Sequence, residues 1–368
     1  MSPAVALFLP SLAGGGAERV FVDLANQFSA RGLATDLVLA SAQGPYLAEV
    51  ERQVRVIDLK AGRLIRALPK LVRYLRRERP AATLSGLDHA NVVALLARDL
   101  SRVPSRCVIS MRSVPSEVYS RAGSPRSRIL LRFLRRTYRR ADAIVANSQA
   151  VAADLERLLG PPLPPLHVVH NPIDLVRVDV RSREPLEHPW VASGAPPLVL
   201  AVGSLTPLKD FATLIRAFAI LRRTHESRLV ILGEGSERRR LEAECRAAGV
   251  ADEVLMPGFA SNPFSWMRRA RVVVSASVTE GFPNATLQAM ALGVPIVSTD
   301  AGGSPELLEG GRWGRLVPVG EPGPMAAAMA ASLDAGPRAD GRLRAAEFAL
   351  DRIAARFLNI LLPGETSA

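Results

Sequence analysis

The stretch Ser277–Glu306, SVTEGFPNATLQAMALGVPIVSTDAGGSPE, constrains this chain more than any other. In about thirty residues, the size of one strand–helix–strand step, it packs a carboxylate, a turn, a helix start, a buried strand and a glycine pair. The β-branched run Val272–Val274 leads in as a strand. Glu280-Gly281-Phe282-Pro283-Asn284 reads as a turn at that strand's carboxyl end. Asn284 reads as an N-cap, and Ala285–Leu292 as a helix of strong formers without a breaker. Gly293-Val294-Pro295 stops the helix, Ile296-Val297 restart a buried strand, and Asp300-Ala301-Gly302-Gly303 end it in a second loop. In an open α/β sheet both loops fall at the carboxyl edge, where ligands bind. The helix start aims free backbone N–H groups at the same edge, which suits a phosphate. Glu280 and Gln288 are eight residues apart and can face one crevice.

The same alternation fills the rest of the chain. Val5–Leu9 is a strand, Ser11–Glu18 a glycine loop, and an apolar-periodic helix follows through Val20, Leu24 and Phe28. Short strands are expected at Thr35–Leu39, Val54–Leu59, Ala82–Ser85, Val108–Met111, Ala143–Ala146 and His167–His170. The pattern restarts at Leu198–Val202 and continues through Arg228–Leu232 and Gly314–Val317, with helices at Phe211–Arg223, Glu237–Ala248 and Arg342–Leu361. At 368 residues the chain exceeds what one core usually serves. The predicted fold is therefore α/β, two doubly wound Rossmann-like domains facing across a cleft. Residues 1–180 form the first domain, 181–197 a linker without periodicity, and 198–345 the second domain. Residues 346–363 are a C-terminal helix with a candidate return path to the first domain, and 364–368 a tail.

Two cysteines, Cys107 and Cys245, lie far apart without metal-type spacing, which excludes a disulfide scaffold and points to a reducing cytoplasm. The N-terminal apolar run is short and lacks a basic lead, so it reads as a strand and not as a signal peptide. No uninterrupted apolar run approaches the length of a membrane span.

The net charge of +12 is unevenly spread. Residues 1–190 hold 28 Lys+Arg and 17 Asp+Glu, and residues 191–368 hold 19 and 18. Within the basic half, Lys60–Arg79 and Arg121–Arg140 each alternate an apolar stripe with arginines, and the second has eight Arg and no acid. Basic amphipathic helices suit an anionic membrane surface, with Arg128, Arg132, Arg135 and Arg136 as its contacts. The bland alternative is a domain helix packed inside and solvated outside. Aromatic content of 5% is poor for stacking bases, so nucleic acid is not expected as a partner.

Six segments then occur in one order: PSLAGGGAERV, HNPID, VGSLTPLKDFATLIRAF, LVILGEGSERRRLE, PGFASNPFSWMRRA and EGFPNATLQAMALGVPIVSTDAGG. Together they resemble the retaining glycosyltransferases of family 4, which have the GT-B fold, over nearly the whole chain. GGGAERV with EGFPN is most similar to enzymes that extend bacterial lipid-linked glycans with N-acetylhexosamine or hexose. The resemblance implies a donor that is a UDP- or GDP-linked sugar, no cofactor, and a lipid-linked or polysaccharide acceptor. It makes Glu280 the carboxylate that holds donor-sugar hydroxyls and Lys209 the cation that neutralises the leaving diphosphate. Gly203 and Ser204 would flank Lys209. Gly14, Gly15 and Gly16 would let backbone approach the diphosphate, and backbone near Phe282, Pro283, Asn284 and Ala285 would hold phosphate or sugar oxygens. Gln288 and Glu306 complete the donor set.

Three departures stand out. Ser204 replaces an Arg that many relatives carry, and Gln288 replaces a ribose-binding Glu, keeping an acceptor without its charge. Met111-Arg112-Ser113 stands where many relatives have a catalytic-site His. Arg112 is then a candidate for acceptor or phosphate contact, and His89 is the nearest spare histidine. No Asp-x-Asp occurs, so no metal is expected at the diphosphate. The sequence thus predicts a cytoplasmic glycosyltransferase peripheral to the inner face of the membrane. Its rivals are an epimerase on the same fold and a non-catalytic binder of membranes or polyanions.

Overall fold

The computed structural model describes residues 4–114, 116, 125–335 and 341–364, with the backbone alone over 125–131. The chain divides into two compact units, Met1–Pro172 with Leu350–Ala368, and Ile173–Ala349.

Among the described residues, the first unit holds a parallel sheet ordered β3-β2-β1-β4-β5-β6-β7. The strands are β1 (Val5–Leu9), β2 (Thr35–Leu39), β3 (Arg55–Asp58), β4 (Ala82–Gly86), β5 (Arg106–Met111), β6 (Ala143–Ala146) and β7 (Leu166–Val168). In register, Val5 pairs with both Thr35 and Ala82, which makes β1 a central strand. Central parallel strands are covered on both faces and read as continuous apolar runs. Accordingly VALFL is fully buried. One face packs against helices Leu64–Glu78, Asp88–Ser101, Pro125–Tyr138 and Gln149–Leu159, through residues such as Leu71, Ala94, Leu134 and Leu155. The other packs against Gly16–Ala30 and Leu350–Leu361, through Phe21, Leu24, Phe28, Ile353 and Phe357.

The second unit's sheet is ordered β10-β9-β8-β11-β12-β13. Its strands are β8 (Leu198–Val202), β9 (Arg228–Leu232), β10 (Val254–Gly258), β11 (Val272–Ser275), β12 (Ile296–Thr299) and β13 (Arg315–Val317). Helices Phe211–Leu221 and Pro322–Ala335 bury Phe218 and Met329 on one face. Pro263–Arg269 and Asn284–Ala291 bury Met267 and Leu287 on the other.

Several local expectations change. Residues 181–197, read as a linker, lie inside the second unit, where helix Leu175–Ser182 and a 3-10 turn at Pro189–Val191 occupy the region. The chain passes from the first unit to the second at Pro172–Ile173 instead of at residue 180. The single helix expected over Arg342–Leu361 is two, Gly341–Ala346 and Leu350–Leu361. The break has a local cause. Phe348 turns into the second unit's core, and Ile173 N–H donates to Phe348 O at 2.9 Å. Helix Leu350–Leu361 belongs to the first unit. The basic helix runs Pro125–Tyr138, and the remainder of the predicted stretch from Arg121 to Ser124 lies outside the described residues, as do 365–368 of the tail.

Candidate active site

In the second unit the chain builds outward from β8 to β10 and then returns to β11 on the other side of β8. The two strands at this reversal send their carboxyl-edge loops apart and leave a crevice between them. Lys209 follows β8 on the 3-10 turn Pro207–Lys209, and Glu280 follows β11. Lys209 Nζ donates to Oε1 and Oε2 of Glu280 at 2.7 Å each. Their side chains are 25% and 16% exposed, so the pair sits in the crevice mouth. The surrounding backbone fixes both loops: Val278 N–H donates to Leu208 O at 2.9 Å, and Gly303 N–H to Glu280 O at 3.0 Å.

Glycines make this closeness sterically allowed. A Cβ on Gly302, at φ +55°, would lie 1.8 Å from Glu280 O, and one on Gly233 would lie 1.9 Å from Gly203 O. Gly203 itself lies along the Lys209 chain, where a Cβ would meet Cε at 3.3 Å. Of the remaining donor candidates, Ser204 is exposed and brings no charge in place of the expected arginine. Phe282 is buried in the core with its ring 5.3 Å from that of Phe348. The N-cap of helix Asn284–Ala291 is Pro283 and not Asn284, and no side chain caps it. Pro283 has no N–H, so the first backbone N–H groups of this helix are those of Asn284 and Ala285. Gln288 lies on the same helix, half-buried. Glu306 lies in the four-residue helix Ser304–Leu307, and its backbone carbonyl accepts from Arg344 Nη2 at 3.0 Å.

The first unit repeats the geometry with different chemistry. Its strand order reverses at β1 and β4. Gly14 (φ +107°), Gly15 and Gly16 follow β1, Gly15 as the N-cap and Gly16 as the first residue of helix Gly16–Ala30. The Glu18 carboxylate folds back over Gly15, where an added Cβ would meet Oε2 at 2.4 Å, and burial pushes its pKa up. Sequence reading missed the brace under this loop. Tyr46 O–H donates to Gly14 O at 3.0 Å, and the Arg19 guanidinium lies 3.9 Å over the Tyr46 ring while pairing with Glu49. The one signal was Gly44-Pro45, a turn forced against Leu12 O, where a Cβ on Gly44 would come within 1.9 Å. His89 is exposed in the first turn of helix Asp88–Ser101, directly after β4. Arg112 follows β5, with Nη1 donating to Asn171 Oδ1 at 2.5 Å. No group of three His, Cys, Asp or Glu able to hold a metal occurs among the described residues.

The proposed membrane arginines are not equivalent. Arg132 and Arg136 are exposed, whereas Arg135 Nε donates to Leu158 O at 2.6 Å and serves the end of a neighbouring helix. The side chain of Arg128 lies outside the described residues. Arg140 pairs with Asp99 at 2.9 Å, so part of this basic run is structural.

Two consecutive doubly wound parallel sheets, each with one reversal of strand order, define the GT-B architecture. Solved structures share it: the Anabaena protein Alr3699/HepE in complex with UDP and glucose superposes with a TM-score of 0.79 at 21% identity, covering 98% of this chain and 99% of that one. Sucrose-phosphate synthase from Thermosynechococcus elongatus gives 0.79 at 20% identity, covering 96% of each. Residues 14–177 match Glycosyltransferase Family 4 and residues 196–335 match Glycosyl transferases group 1. A Campylobacter jejuni N-acetylgalactosamine-N,N'-diacetylbacillosaminyl-diphospho-undecaprenol 4-alpha-N-acetylgalactosaminyltransferase is 30% identical over 328 residues, 85% of either chain. The lipopolysaccharide core biosynthesis glycosyltransferase LpsE of Rhizobium meliloti is 26% identical over 313 residues, covering 83% of this chain and 82% of that one. The chain belongs to glycosyltransferase family 4.

Proposed function

We propose that this glycosyltransferase moves a hexose or N-acetylhexosamine from a UDP-sugar to a lipid-linked glycan acceptor, with retention at the anomeric carbon and without a metal. The Lys209–Glu280 pair carries the reading. It gives the crevice a cation and a carboxylate that neutralise each other until a donor enters. A diphosphate draws the ammonium away by offering two negative charges, and Glu280, so released, accepts hydrogen bonds from sugar hydroxyls. As the bond from the anomeric carbon to the diphosphate breaks, charge grows on the leaving oxygen, and Lys209 with the N–H groups of Asn284 and Ala285 stabilises it. The acceptor hydroxyl bonds to the same face of that carbon and gives its proton to the departing phosphate. A side-chain cation at this place does the work a divalent ion does elsewhere.

The donor assignment is supported by solved neighbours in complex with UDP and with UDP-glucose. The acceptor class is supported by the diphospho-undecaprenol substrate in the Campylobacter enzyme's name. The exposed arginines Arg132 and Arg136 favour work at the anionic cytoplasmic face of a membrane.

The test is transfer from a panel of UDP-sugars to an undecaprenyl-diphosphate glycan, with product linkage read by NMR and EDTA present throughout. Glu280→Ala and Lys209→Ala should each lower kcat/KM by at least about a hundredfold with unchanged melting curves. Turnover near wild type in either variant refutes the site, an inverted product refutes retention, and loss of rate in EDTA refutes metal independence. UDP release that ignores the acceptor would identify an epimerase or hydrolase instead.

A further inference from the structure

Arg112 is the feature of the first unit that the donor chemistry leaves unexplained. Its side chain leaves the carboxyl end of β5 toward the face covered by helices Gly16–Ala30 and Leu350–Leu361. There the guanidinium lies 5.6 Å from the centre of the Phe21 ring and 5.7 Å from that of Phe357. Nη1 donates to Asn171, while Nε and Nη2 are sealed from solvent with no hydrogen-bond partner among the described residues. No carboxylate among the described residues pairs with it. Burial alone draws its pKa down, to about 9, which still leaves it charged at neutral pH. Two more orphaned atoms share this edge: Ser110 Oγ on β5, and Asn147 Oδ1 at the end of β6. Asn147 Nδ2 donates to the Arg112 carbonyl at 3.4 Å. Gly86, the β4 residue in register with Ser110, admits the Phe21 ring, since a Cβ there would lie 2.4 Å from it.

A buried cation without a counter-charge costs stability, and a fold retains one where something else supplies the charge. The unpaired Nε/Nη2 edge is the fork that grips two oxygens of a phosphoryl group side by side. We propose that Arg112, with the Ser110 hydroxyl as a further donor, forms an anion site of the first unit that takes a phosphoryl group of a substrate diphosphate. This rests on the glycosyl-transfer reading. The residue as a whole is only half-buried, so it stands at the rim of the sheet edge. Turning the fork outward gives up one hydrogen bond, to Asn171, and gains two charge-assisted ones.

The experiment pairs Arg112→Met with Arg112→Lys in the full chain. Each is followed by thermal melting, by calorimetric titration with inorganic pyrophosphate and with UDP, and by transfer kinetics. Arg112→Met should melt no lower than wild type, because it removes an unpaired buried charge, yet lose pyrophosphate affinity about a hundredfold. Arg112→Lys should keep part of that affinity as a point charge. Weakened UDP binding would assign the site to the donor diphosphate. Unchanged UDP binding with a raised acceptor KM would assign it to the acceptor. A destabilised Arg112→Met that binds pyrophosphate and both substrates as wild type does would overturn the site, leaving Arg112 a packing residue. Absence of transfer by the wild type with pyrophosphate binding intact would instead refute the glycosyl-transfer reading and leave the site standing.

Discussion

Replacing Gly302 by Ala tests how the second unit holds Glu280. The new Cβ would stand 1.8 Å from the Glu280 carbonyl oxygen, whereas real Cβ contacts essentially never fall under 3.0 Å. The Glu280 loop must then retreat by at least the difference, about 1.2 Å. That retreat breaks the Gly303 N–H bond to Glu280 O and pulls the carboxylate off Lys209 Nζ, now at 2.7 Å. A displacement of about 1 Å at reacting groups costs on the order of a hundredfold in rate. The left-handed backbone at φ +55° adds its own cost for Ala, about 1–2 kcal/mol. Gly310, at φ +65° with nothing within 4 Å of an added Cβ, isolates that second term. For a domain of this size about 1–2 kcal/mol lowers the melting temperature by roughly 2–8 °C. Gly310→Ala should therefore lose a few degrees and keep its rate. Gly302→Ala should lose at least as much stability and about a hundredfold in kcat, read as UDP release with acceptor present. Equal rates in the two variants would show that Glu280's position does not control the chemistry.

Three further outcomes follow from other parts of the molecule. Glu18→Gln should raise the melting temperature at pH 7.5, with the gain fading below the ordinary carboxylate value of 4.5. Burial raises the folded-state pKa, so the neutral form's stabilising share is present in acid and lost as pH rises through that pKa. A lower melting temperature at pH 7.5 would mean that the carboxylate's attraction to the helix start outweighs its desolvation. Tyr46→Phe should loosen the glycine loop through loss of its bond to Gly14 O, costing about 1 kcal/mol in stability and raising the KM for one of the substrates, and unchanged melting with unchanged KM would argue that the brace is idle. Charge reversal at Arg132 and Arg136 should weaken binding to phosphatidylserine vesicles at least about fivefold per residue, with steep salt dependence, and salt-independent binding would rule out the electrostatic reading.

The alternation of strands and helices was legible because each strand is an apolar run and each helix an apolar stripe, both local patterns. Lys209 and Glu280 could be named as candidates because their segments resemble those of the family, and Glu280 also because its turn reads as the carboxyl end of a strand. That they face each other was not legible, since it depends on strand order: β8 and β11 are neighbours although two strand–helix steps separate them. The same limit hid Gly233, Gly302 and Gly86. Each is needed for a close approach to a residue far away in sequence, and local turn chemistry does not reveal that. Asn284 was misplaced as the cap because its capping preference ignores the preceding Pro283, whose extended backbone already ends the loop. Arg112 could be named as a candidate phosphate or acceptor contact, but its isolation from the carboxylates of the described residues is a property of three dimensions.

Helix Leu350–Leu361 is the last secondary element among the described residues, yet it closes a sheet whose strands there all precede residue 169. Phe357, Ile353 and Leu358 belong to the same apolar cluster as Val5, Leu7 and Val108. On the ribosome, the first sheet therefore emerges with one side covered by helix Gly16–Ala30 alone and stays so while the whole second unit is made. Until the helix arrives, this greasy face is what a chaperone would see, and the aromatic clamp over Arg112 lacks one of its two rings.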